Sequence, residues 1–210
     1  GKMVNMKNEN ITSLGLFRIS LILASLYKIF YSINTGNYSR FWHAILAIML
    51  VLAPQIIKFF YKISFSYLTQ FIYLIFIFIS MTLGIVFEFY NKIDWFDSFA
   101  HFLSGGLTAF GGLVYIYKDK ILKTTDLYFK LFFINIFSLA IAGLWELFEF
   151  SVYVVSGVDM QHVSSTGVTD TMKDMIVALL GSFIISAVYA IVYQNSKSRT
   201  VARQAIIKYF

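Results

Sequence analysis

"FIYLIFIFISMTLGIVFEFY", residues 71–90, carries no charge before Glu88. An apolar helix of about 20 residues crosses the roughly 30 Å hydrocarbon core of a bilayer, and a helix satisfies its own backbone there. The stretch therefore reads as a membrane span. Five more apolar stretches surround it, and spans are expected at about 13–33, 42–60, 67–90, 97–117, 127–155 and 171–193. The 210 residues are 59% apolar and 13% charged, with mean hydropathy +0.73. Soluble domains hold about 45–50% apolar and about 25% charged residues. The expected fold is all-α, a polytopic membrane bundle of about six transmembrane helices. It forms a single transmembrane domain over 1–210, with a basic C-terminal tail at 194–210 and no room for a soluble domain.

The first stretch lacks a small-x-small cleavage site, and five spans follow it, so it reads as a retained span. The leading "GKM" reads as an expression scar, with a native start at Met3 or Met6. Pro54, the only proline, falls inside span two and should bend it. The chain has no cysteine, so disulfides and thiolate metal sites are excluded.

Short loops rich in Lys and Arg stay in the cytoplasm. Lys2, Lys7, Lys58, Lys62, Lys118, Lys120, Lys123, Lys130, Lys197, Arg199, Arg203 and Lys208 all lie on one side of the expected topology. The other side has Arg40 and Lys92. Both termini are therefore expected in the cytoplasm. The net charge of +6 is accounted for by topology and by affinity for anionic lipid, without nucleic acid.

The acids fall the opposite way. Of eleven, only Glu9, Asp119 and Asp126 lie away from the outer ends of spans. Glu88, Asp94, Asp97, Glu146, Glu149, Asp159, Asp170 and Asp174 share the outer side. Helix positions three or four apart share a face, and Asp97/His101, Glu146/Glu149 and Asp170/Asp174 keep that spacing. The same faces continue in small or polar residues: Gly105 and Ala109, then Ala142, Ser138 and Asn135, then Ala178, Gly181, Ser182 and Ser186. Gly84 and Ser80 do the same behind Glu88. Such stripes mark close helix packing in lipid, so spans three to six are expected to converge with their acids together.

An ionisable group inside a span costs about 2.5–3.5 kcal/mol on insertion scales, and like charges repel. A cation, shared protons, or the bases Lys28, Lys92, Lys173 and His101 must compensate. Carboxylates with an imidazole suit Mg²⁺, Mn²⁺, Ca²⁺ or Zn²⁺. The candidate metal ligands are Glu88, Asp97, His101, Glu146, Glu149, Asp170 and Asp174, with Asp97 orienting His101 as ligand or general base.

"DSFAHFLSG" (97–105), "LWELFEF" (144–150) and "DTMKDMIVALLG" (170–181) resemble the YjdF-like family of bacterial membrane proteins and, more distantly, the VanZ-like proteins. The resemblance implies a multi-pass protein of the bacterial cytoplasmic membrane. It implies Asp97, His101, Trp145, Glu146, Asp170 and Asp174 as signature positions. VanZ-like proteins tend to carry a glutamine where Glu149 stands, and an arginine ahead of the last acidic motif, which this chain lacks.

Simpler roles compete with a site. Asp97 and Asp170 are candidates for helix caps. Asp159 and His162 lie in a loop that is either solvated or a lid, and Trp145 reads as interfacial. The tail places Ala202, Ala205, Ile206 and Tyr209 on one face, as in a membrane-surface helix. Two function classes remain. One is a divalent-cation-dependent hydrolase or transferase acting on a phosphate-bearing or lipid-linked substrate from the outer leaflet. The other is an ion- or proton-coupled transporter. A non-catalytic binding or accessory membrane protein is the third possibility.

Overall fold

The computed structural model describes residues 2–38, 41–62 and 65–209, with side chains described for these except 2–12, 196, 197, 199 and 207–209. Arg40 and the side chains of Lys2, Lys7, Glu9, Lys197, Arg199, Lys208 and Tyr209, used above, lie outside the described residues, as does Gly1.

Nine α-helices are described: α1 (Lys2–Thr35), α2 (Phe41–Tyr61), α3 (Tyr67–Ile77), α4 (Phe89–Lys92), α5 (Phe96–Lys118), α6 (Leu127–Ser156), α7 (Val163–Thr166), α8 (Thr169–Gln194) and α9 (Ser196–Tyr209). Six helical segments are long and apolar enough to cross a bilayer: Ser13–Thr35, Phe41–Tyr61, Tyr67–Val86, Phe96–Lys118, Leu127–Ser156 and Thr169–Gln194. The all-helical polytopic bundle is therefore as expected, with edges within a few residues. Polar capping sets several ends. Ser66 accepts from the Thr69 amide at 3.1 Å at the start of α3, and Asp126 accepts from the Phe129 amide at 2.7 Å at the start of α6. Gly157, at φ 72°, closes α6 in the left-handed region that glycine tolerates.

The chain divides into two compact units, Gly1–Asp94 and Trp95–Phe210. In the first, α1, α2 and the third span pack together. Arg18 reaches Gln70 of α3, and with the Gln55 amide oxygen facing the guanidinium it also reaches α2. The third span changes winding at Phe78 and runs as a π-helix to Val86. It closes with Phe87 N bonding to Thr82 O at 3.2 Å, and Glu88 then turns left-handed at φ 60°. Span three thus ends before residue 90 and lies in the first unit with spans one and two.

The second unit is built on α5, α6 and α8, each packed against the other two. Glycine makes the tightest crossing. A Cβ at Gly105 would overlap the backbone of Ala178, and one at Gly181 would overlap the carbonyl of Phe102. Ala109 and Ala178 are fully buried along the same crossing. Hydroxyl and amide pairs bind the third helix: Thr108 to Ser138 at 3.0 Å, Asn135 to Ser186 at 2.8 Å and Ser182 to Asn135 at 2.6 Å. At the far end Tyr117 and Tyr189 share a hydroxyl bond at 2.7 Å. The tail is helical, and Ile206 is buried with Leu113, Ile116 and Tyr189, so protein covers part of the face read as membrane-facing.

Candidate metal centre

Phe96, buried at the start of α5, anchors the turn that carries Asp97 and His101. The glycine crossing then draws the second turn of α8, with Asp174, against it. His101 Nε2 lies 3.7 Å from Asp97 Oδ1 and 3.7 Å from Asp174 Oδ2. These distances are too long for hydrogen bonds. One ligand atom from each of Asp97, His101 and Asp174 lies within 4.8 Å of the others, the spacing of donors facing a common point. Metal–donor bonds of about 2.0–2.4 Å place adjacent donors roughly 3.0–3.4 Å apart, so a small inward movement would close this triad on an ion.

Helix α6 brings Glu146 and Glu149, both buried, to the same end of the unit. Trp145 Nε1 donates to Glu149 Oε1 at 3.0 Å, which gives the indole a role beyond the interface. Glu146 Oε2 accepts from Gln161 Nε2 at 3.0 Å, and the same amide group reaches the Glu146 carbonyl at 3.1 Å and Thr171 Oγ1 at 3.2 Å. Two carboxylate oxygens, Glu146 Oε1 and Asp174 Oδ1, are buried and accept no hydrogen bond. Asp174 sits in the repulsive field of Asp97, Asp170 and Glu146, and Glu149 in that of Glu146, Asp97 and Asp174. Buried, mutually repelling acids with unsatisfied oxygens call for a cation or for protons.

Asp170 is half-buried in the first turn of α8. Neither it nor Asp97 is a cap, because Val168 and Trp95 hold those positions without side-chain bonds. Glu88 belongs to the first unit and pairs with Lys28 at 2.8 Å. Lys92 donates to the Phe87 carbonyl at 2.9 Å, and Lys173 is exposed.

The 157–168 loop meets the acids through a residue that the sequence reading passed over. Gln161 is buried, while His162 is exposed with φ 52°. Asp159 staples the loop, accepting from the amides of Val163 and Ser164 at 2.9 Å and from the Ser164 hydroxyl at 2.6 Å. Burial alone would raise the Asp159 carboxyl, but the bonds from Ser164 and Val163 and the charge of His162 outweigh it and hold the group below the usual carboxylate range. A loop amide has no periodic partner in the sequence, so nothing marked Gln161 in advance.

A family described as "Predicted membrane protein (DUF2238)" matches residues 16–195, which includes all of spans two to six, span one from residue 16 onward, and every acid of the cluster. The chain belongs to this family. As a DUF2238 protein it is an integral membrane protein, in agreement with the six spans. Neither the curated proteins nor the solved structures give a match to it.

Proposed function

We propose that this DUF2238 protein is a divalent-cation-dependent membrane hydrolase or transferase acting on a phosphate-bearing or lipid-linked substrate at the outer face of the bacterial cytoplasmic membrane. The observation that carries the reading is the Asp97–His101–Asp174 triad, with its ligand atoms within 4.8 Å of one another. The buried, unbonded oxygens of Glu146 and Asp174 supply the second support. Asp97, His101 and Asp174 are the inner ligands, and Glu146, Glu149 and Asp170 complete an oxygen-rich surround that suits Mg²⁺, Mn²⁺, Ca²⁺ or Zn²⁺. A divalent cation there would neutralise a phosphoryl group and acidify a water. The outer orientation follows from the basic residues of the opposite loops. The likeness of the three acidic segments to YjdF-like and, distantly, VanZ-like proteins supports the same choice of residues.

The test is metal analysis of the purified protein, with Mn²⁺-dependent phosphate release from vesicles carrying a lipid monophosphate. Wild type should hold metal and release phosphate, and Asp174→Asn should do neither. A metal-free protein whose stability ignores chelator would move the acids to proton sharing and favour a carrier.

A further inference from the structure

The second unit has a cavity of about 780 Å³ between α6, α7 and the first two turns of α8. That volume lies within the range of small-molecule pockets, roughly 300–1,000 Å³. Its walls are hydrocarbon from Leu144, Leu147, Phe150, Val168 and Met175. Leu144, Leu147, Phe150 and Val168 are each more than half exposed, so the cavity opens sideways. The walls on α6 and α8 belong to segments long and apolar enough to cross a bilayer, so a membrane around them would meet that side of the groove, while Gln161, Val163, Gly167 and Val168 close it from the loop. Its polar groups are Glu146, Gln161 and Thr171, and the Gln161 amide donates to the other two.

We infer that this groove seats one hydrocarbon chain of a membrane lipid whose phosphate-bearing head lies at the Asp97–His101–Asp174 site. The inference rests on the cation-site reading above and names the lipid-chain half of its substrate. Three observations choose this occupant. The α6 wall from Ala140 to Phe150 is about 15 Å long at 1.5 Å per residue, half of the roughly 30 Å hydrocarbon core and thus the depth of one leaflet. Among the lining residues the only ionisable group is Glu146, so an anionic head has no counter-charge inside the groove and must lie beyond it. Glu146 lines the groove midway along its α6 wall, its Oε1 is buried without a hydrogen bond, and its charge acts on Asp174 of the candidate cation site.

The experiment uses full-length protein in phosphatidylcholine vesicles containing phosphatidic acid with a diazirine at the end of one chain. After illumination with Mn²⁺, adducts are mapped by mass spectrometry. They should concentrate on residues 140–150 and 163–175. Gly143→Leu should reduce them about tenfold, because the Gly143 Cβ position, 3.8 Å from Met175 Cε, admits a side chain that then fills the groove. Adducts spread evenly over the lipid-facing sides of α2 and α6, or unchanged in Gly143→Leu, overturn the inference. If Gly143→Leu does not fold, the wild-type map alone decides. Stabilisation by Mn²⁺ in detergent without phosphatidic acid is measured separately. Its loss would sink the cation-site reading and leave the adduct map to judge the groove.

Discussion

Asp174 turns one carboxylate oxygen toward His101 and keeps the other buried without a hydrogen bond, an arrangement that is costly until something binds it. Mn²⁺ at a hundred times its dissociation constant should stabilise wild type by about 2.7 kcal/mol, read as a rise in unfolding temperature. Asp174→Asn should fold and lose the response. Asp97→Asn, His101→Ala and their double mutant should be alike in losing it if the two groups act as a unit. Asp97→Ser should lose it too, because Trp95 and not Asp97 holds the cap position of α5. Additive losses across that cycle would separate the pair. Gln161→Ala strips Glu146 and Thr171 of their shared donor, and should cost about 1–3 kcal/mol in denaturant unfolding even without metal.

At the scale of elements, the α5–α8 crossing decides whether the triad forms. Gly105→Ala and Gly181→Ala each set a methyl against the facing backbone, and should destabilise by about 1–3 kcal/mol or more and weaken Mn²⁺ binding. Gly106→Ala is the control, because its Cβ would meet Gly181 O at an ordinary 3.6 Å and should be tolerated. Equal effects at all three glycines would remove the crossing from the account. The loop held by Asp159 carries its own pH dependence. Its folded carboxyl titrates below the unfolded value of about 3.9, so the stabilisation is complete above that pH and disappears as pH falls through the lower folded value. Protease sensitivity of the 157–168 loop should therefore be flat from pH 7 to 5 and rise only below about pH 4. In Asp159→Asn it should be high throughout.

For the whole molecule, the basic-residue asymmetry predicts that Ser164→Cys reacts with an impermeant thiol reagent on intact cells and Thr124→Cys does not. Both positions are exposed, and the chain has no cysteine of its own. The reverse pattern would put the acidic site in the cytoplasm. Length and hydropathy made the spans legible, because a bilayer demands unbroken apolar helices, and i, i+4 spacing placed Asp97 beside His101. The winding of span three was less legible. Gly84 and Ser80 looked like another packing stripe, but the π-winding from Phe78 to Val86 changes which side chains share a face, and a 3.6-residue reading does not anticipate it. Glu88 was grouped with the other acids by its place at a span end, and only coordinates pair it with Lys28.

The backbone contacts at Gly105 and Gly181 also bear on motion. Because the α5–α8 crossing touches through carbonyls, no change of rotamer can loosen it, and His101 and Asp174 ride on what is mechanically one piece. Helix α6 is attached through the side-chain bonds of Thr108, Ser138, Asn135, Ser182 and Ser186, which can break and reform without unwinding a helix. Breathing of this unit is therefore expected as a displacement of α6 and its following loop, which carry Glu146, against the α5–α8 pair. Amide hydrogens of 105–109 and 178–182 should be among the last to exchange with deuterium, and those around 144–150 should exchange sooner.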